Sequence, residues 1–212
     1  MDDVTFFLGL YSPQSILMEF SQMVWVNTSP LVKTYTLEEF WELPEPPDHS
    51  KLELIAGVLY MTPPPGYLHD NAVSRINRLL SAHLLKANDQ GTLYVPRAAI
   101  WTSRNTYLEP DLFYVSKETE SKLKPEYRTT SDLVVEVVSP GSAIYDRNTK
   151  ADTYAALGVR ELWLVDETAK MIERRVLVGD RYHRIEVYQA GGLFTSHLFP
   201  ELNFSVDEIF GS

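Results

Sequence analysis

Between Asp70 and Lys86, apolar residues fall at Val73, Ile76, Leu79, Leu80, Leu84 and Leu85. Steps of three and four predict a helix that buries one face, with Asn88 and Gly91 as its stop. Most other apolar runs are short and bounded by turn residues, which predicts strands at 52–55, 58–61, 92–95, 98–102, 111–115, 133–138 and 161–166. The first two flank Ala56-Gly57 and form a hairpin, which Pro63, Pro64, Pro65 and Gly66 end. Thr36-Leu-Glu-Glu39 has the pattern of a capping box opening a short helix that Pro44 ends, and Pro46 and Pro47 stiffen the loop beyond. Residues 146–157 read as a second helix, closed by Gly158. Strand, helix and strand over 133–166 imply a right-handed crossover and a locally parallel pair. Residues 172–178 and 182–188 around Gly179-Asp180 read as an edge hairpin. Residues 1–33 have no clear periodicity and are read as an N-terminal extension to one domain, 34–212.

One position breaks the apolar pattern. Glu136 interrupts Leu133-Val-Val-Glu-Val-Val138, a run that otherwise reads as a buried strand. An ionised carboxylate buried without a partner costs several kcal/mol even after relaxation, so Glu136 should meet a cation, a metal or a proton. Residues two apart in a strand share a face, so Glu136 points with Val134 and Val138. Asp111, held at a strand mouth by Pro110, lies upstream, and Asp146 to Lys150 opens the helix downstream. If the strands bearing Asp111 and Glu136 pair, the two carboxylates project to one point that suits Mg²⁺, a hard cation with oxygen ligands. Lys150, one to two turns into the helix, reaches the same point.

Length and composition allow one ordinary core: 212 residues, 44% hydrophobic and 23% charged. A formal net charge of −10 argues against a protein that grips nucleic acid through a broad basic surface, although a local metal site could still act on DNA. The absence of cysteine excludes disulfides, thiolate nucleophiles and Cys-ligated zinc. No run approaches the roughly 18 apolar residues of a membrane span, and the start lacks a basic signal region. A cytoplasmic protein is expected.

The order of a helix, a strand bearing Pro-Asp, a strand bearing an acid, then a helix and a strand resembles the PD-(D/E)XK nuclease superfamily. More closely, the chain resembles the restriction-endonuclease-like family of the Uma-two type. The resemblance runs from about Thr36 to Phe210. It rests on Leu52-Glu53-Leu-Ile-Ala-Gly57-Val, His69, Pro110-Asp111, Glu136-Val-Val-Ser-Pro140, Asp146 to Lys150, Tyr154-Ala-Ala-Leu-Gly158-Val and Leu162-Trp163-Leu-Val-Asp166. The resemblance implies an α/β fold with a restriction-endonuclease-like mixed sheet flanked by helices, here with added β-hairpins. It implies Asp111 and Glu136 as ligands of Mg²⁺ or Mn²⁺, Lys150 as the catalytic lysine and Glu53 as a further acid near the site. The residue two after the acid, usually lysine in the superfamily, is Val138, so the lysine would have moved to the helix.

The expected activity is that of an endonuclease hydrolysing phosphodiester bonds in DNA, with Lys150 orienting the attacking water. A homodimer suits a duplex substrate, and the extension at 1–33 could add interface. The competing reading is a catalytically degenerate module that keeps the nuclease fold to bind nucleic acid or a protein partner. Each site residue also has a structural explanation. Asp111 could satisfy backbone amides, Lys150 could pair with Asp146 on a solvated helix face, Glu53 could be an exposed hairpin residue, and His69 could cap or pack beside its helix. Arg97 and Arg104 could touch phosphate or simply lie on the surface.

Overall fold

The computed structural model describes residues 33–102, 104–124, 127–138 and 146–211. The extension at 1–33, apart from Lys33, and Ser139-Pro140 lie outside them. Thr34–Ser212 is one compact unit.

Chain order gives helix α1 (Leu37–Trp41), strands β1 (Lys51–Ile55) and β2 (Val58–Thr62), and the long helix α2 (Tyr67–Lys86). Strands β3 (Thr92–Tyr94), β4 (Ile100–Thr102), β5 (Thr106–Leu108) and β6 (Leu112–Val115), helix α3 (Lys117–Glu120) and strand β7 (Leu133–Val138) follow. A π-helical turn, Asp146–Lys150, runs directly into α4 (Ala151–Ala156), then come β8 (Glu161–Asp166), β9 (Met171–Val178) and β10 (Arg181–Gln189). Strands β11 (Leu193–Thr195) and β12 (Asn203–Ser205) and helix α5 (Asp207–Phe210) complete the chain.

Six strands form the main sheet in the order β10-β9-β8-β7-β6-β3. The pair β7/β8 is parallel, as the crossover requires, and the other pairings are antiparallel. A second sheet, β2-β1-β5-β4, is antiparallel throughout. The mixed α/β architecture, the hairpin at 51–62 and the edge position of β10 agree with the sequence. Other elements differ: α3, β11, β12 and α5 have no counterpart in the sequence reading. β5 is too short for its period-two pattern to register, and the first five residues of the helix at 146–157 are π-helical.

Alternation along β7 decides the layers. Leu133, Val135 and Val137 face α2, packing with Val73, Ile76 and Leu80 and with Trp163, Phe194 and Phe204. Val134 and Val138 face the other way, against Tyr154, Leu164, Ile100 and Leu108. Both faces are covered, so the strand reads as a continuous apolar run. Truncating a fully buried side chain here, such as Leu164 to Ala, should cost about 2–5 kcal/mol. Glu136 stands on the second face, toward α4 and the smaller sheet.

Local chemistry fixes the element ends. Thr36 accepts from the Glu39 amide at 3.2 Å while Glu39 accepts from the Thr36 amide at 2.9 Å, the reciprocal capping box. Ala56 (φ +49°) and Gly57 (φ +84°) both take left-handed conformations in the β1–β2 turn. Gly91 serves differently from a helix stop: a Cβ there would lie 2.4 Å from the Tyr114 hydroxyl oxygen, so the close approach of that side chain demands glycine.

Candidate active site

The β6/β7 pairing matches Leu112 with Val135, and extending that register by one residue sets Asp111 across from Glu136. Asp111 Oδ2 accepts from the Val137 amide at 2.7 Å and contacts His69 Nε2 at 3.1 Å. Burial alone would raise the Asp111 pKa, but the His69 hydrogen bond, Lys51 and the Val137 amide hold it below the ordinary aspartate value. His69, in the first turn of α2, is itself raised above its usual value: burial works against its charge, and the hydrogen bond and charge of Asp111 overcome burial. His69 therefore packs at its helix start and also touches the predicted site.

Glu136 is 3% exposed. Its Oε1 accepts from Lys150 Nζ at 2.7 Å and from the Tyr154 hydroxyl at 2.5 Å. Burial pushes its pKa up to about 7, Lys150 and Lys51 pull it down, and Asp111 and Asp146 push it up again. Glu53 arrives from the second sheet. In β1 it shares a face with Ile55, which packs in the core beneath β7, and it is fully buried rather than an exposed hairpin residue. Its Oε1 accepts from the Glu109 amide at 2.9 Å, and its Oε2 lies 3.2 Å from Lys150 Nζ.

Lys150 joins these elements. Its ammonium lies between Glu136 and Glu53, with Asp146 Oδ1 at 3.7 Å, and the side chain is 2% exposed. The solvated Asp146–Lys150 pair that sequence spacing allowed is instead buried. Val138, at the usual lysine position, packs with Tyr154 in the core, so the cation at the acid comes from the helix. All four predicted residues, Glu53, Asp111, Glu136 and Lys150, therefore meet between the two sheets.

Two contributors lay outside sequence reasoning. Tyr154 is four residues after Lys150, and that same-face spacing on a helix was the available signal. Arg147 anchors the π-helical turn: it pairs with Glu173 through Nη1 and with Asp166 Oδ2 at 2.9 Å, and its carbonyl accepts from Arg175 at 2.7 Å. Asp166 stands in a motif that carries the resemblance, but nothing in the sequence marks it as a partner of Arg147 or singles out Glu173 or Arg175.

Asp111, Glu136, Asp146, Lys150 and His69 line a cleft of about 870 Å³. No group of three or more His, Asp or Glu residues positioned to hold a metal unaided occurs among the described residues. The donor chemistry nevertheless fits Mg²⁺, which is commonly bound through one or two carboxylates and keeps waters in its remaining positions. Asp111 and Glu136 each spend one oxygen on protein donors; no hydrogen bond to Asp111 Oδ1 or Glu136 Oε2 occurs among the described residues.

The sequence model of the family described as "Putative restriction endonuclease", Uma2, matches residues 37–207. The chain belongs to the Uma2 family. The matched span contains Glu53, Asp111, Glu136 and Lys150. Over 134 residues, this Uma2 chain is 25% identical to the "Uncharacterized protein sll1609" of Synechocystis sp., covering 62% of this chain and 75% of that protein. Its fold is similar to a crystal structure from Anabaena variabilis described as "a putative nuclease belonging to DUF820". That likeness has a TM-score of 0.66 and 18% identity over 83% of this chain and 97% of the other. Among the described residues, no helix is long and apolar enough to cross a membrane.

Proposed function

We propose that this Uma2 protein is a metal-dependent endonuclease that hydrolyses phosphodiester bonds in DNA. The observation that carries the reading is Lys150 Nζ, set between Glu136 (2.7 Å) and Glu53 (3.2 Å) in the cleft that Asp111 also lines. An acid pair beside a buried lysine on neighbouring elements suits hydrolysis at phosphorus. Asp111 and Glu136 would hold Mg²⁺ or Mn²⁺. When bound, such an ion supplies charge neutralisation at the phosphate and a water acidic enough to attack.

The chain's own groups do the rest. The Val137 amide and His69 orient Asp111, and Lys150 and Tyr154 orient Glu136. Lys150 positions the attacking water and places positive charge beside the phosphoryl oxygens as charge builds there. Glu53 holds Lys150 from the opposite sheet.

A second reading, a degenerate module that retains the fold for binding, is favoured by one observation: the Lys150 ammonium already faces three carboxylates. Mn²⁺ calorimetry on the parent and on Asp111→Asn/Glu136→Gln, with a DNA cleavage assay on both, separates the two. The nuclease reading expects Mn²⁺ binding and cleavage by the parent and loss of both in the double variant. Equal behaviour of the two proteins would overturn it.

A further inference from the structure

The cleft has two chemically different walls. One carries the carboxylates and Lys150. The other is built by α1, the proline loops and β2 and is largely carbon: Trp41, Leu43, Pro44, Pro46, Tyr60 and Pro64. Trp41 is 52% exposed, and its ring meets Trp101 in a T-shaped contact at 5.4 Å that fixes the ring plane while leaving about half its surface open. Trp101 is braced in turn by Tyr127 at 4.8 Å. An aromatic ring held rigid and half open is a stacking platform.

Charge excludes the usual way of gripping a duplex. Besides Lys150 and the imidazoles of His49 and His69, the cationic side chains lining the cleft are Lys51 and Arg97. Lys51 donates to the Glu109 carbonyl at 2.8 Å, and Arg97 sits near the Glu45 and Glu109 carboxylates at 3.9 and 3.7 Å. With a formal net charge of −10 for the whole chain, attraction to a line of phosphates is weak. The cleft is also the size of a small-molecule pocket, roughly 300–1,000 Å³, which suits a nucleotide and not a double helix.

We propose that the Trp41 wall is a stacking subsite for an unpaired nucleobase, so that the substrate class is single-stranded or locally unpaired DNA rather than intact duplex. The inference rests on the nuclease reading, because the acid wall must receive the phosphate next to the stacked base. Base–aromatic stacking contributes about 1–3 kcal/mol per base and tolerates any sequence, so it adds affinity where, as here, the basic track is sparse.

The test is fluorescence anisotropy with a short labelled oligodeoxythymidylate and a blunt hairpin of equal length, in Ca²⁺, across a salt series. Trp41→Ala and Trp41→Phe are compared with the parent, with Mn²⁺ calorimetry and gel filtration on all three. The expected result is binding of the single strand at least tenfold tighter than the hairpin, with a shallow salt slope. Trp41→Ala should lose roughly tenfold and Trp41→Phe should recover most of it, while Mn²⁺ binding stays unchanged. Equal binding of strand and hairpin, or an unaffected Trp41→Ala, would overturn the subsite and leave the nuclease reading standing. A dimer that Trp41→Ala dissociates without changing DNA binding would overturn it in favour of self-association. No DNA binding together with no Mn²⁺ binding would remove both readings.

Discussion

Tyr154 and Lys150, one helical turn apart, donate to the same oxygen of Glu136, at 2.5 and 2.7 Å. Both donors on Oε1 fix the carboxylate's rotation and turn Oε2 away from them. Tyr154→Phe removes one donor and keeps the ring in the core. Outer partners of metal ligands commonly govern affinity by 10–100-fold, so Mn²⁺ affinity should fall about tenfold. Calorimetry on the variant checks this, and circular dichroism should show an unchanged fold.

Lys150→Met should leave Glu53 and Glu136 buried without their cation. Breaking a buried pair by removing one partner costs about 3–5 kcal/mol, which urea unfolding would measure. Adding Glu136→Gln to the variant should recover part of that loss, because one of the stranded charges is then gone. A double variant no more stable than Lys150→Met would show that the pair is not coupled.

The raised pKa of Glu136 gives a pH dependence with a definite sign. Burial lifts the carboxyl from its ordinary 4.5 to about 7, so between those values the folded protein holds a proton that the unfolded chain has released. Folding stability from this group is therefore greatest at low pH and declines as pH rises across that window. A metal needs the ionised form, so Mn²⁺ affinity should increase with pH up to about 7 and then level off, with proton release on binding at pH 6. Calorimetry in two buffers of different ionisation enthalpy reads that proton directly, and pH-independent affinity would contradict the assignment.

Glu161, on the strand next to Glu136, is a control supplied by the fold. It is fully buried, yet its carboxylate accepts from Trp163 Nε1 at 2.7 Å, the Ser196 hydroxyl at 3.1 Å and the amides of His197 and Leu198, which clasps the 196–199 turn. Glu161→Gln introduces an NH₂ where donors converge and should destabilise the protein by about 1–3 kcal/mol. Mn²⁺ affinity should not change. Thermal melts and calorimetry of the single variant test both halves.

These two glutamates mark how far sequence could be read. Glu136 interrupts an apolar run and announced a partner. Glu161 precedes one and resembled an ordinary strand end, although it is buried just as deeply. Periodicity revealed α2, β7 and the crossover to β8 because long apolar patterns average over many residues. Thr106-Tyr-Leu108 is too short for that, and a π turn has the same composition as an α turn. The meeting of Glu53 with Lys150 depends on how β1 lies against the π-helical turn, which no local pattern encodes. Resemblance singled out Glu53, but packing alone made it a buried partner rather than a rim residue.

The π-helical turn sets Arg147, clamped to β8 and β9, three residues ahead of Lys150. Each residue of an α-helix turns the chain by about 100°, and a residue of a π turn by somewhat less, so that spacing determines which way Lys150 faces once Arg147 is held. Loss of Asn148 or Thr149 would preserve every charge and every buried group. It would also swing Lys150 by roughly a quarter turn away from Glu136. The local count of residues thus carries information that no inventory of side chains contains, and a one-residue deletion here would be more damaging than most substitutions on the same turn.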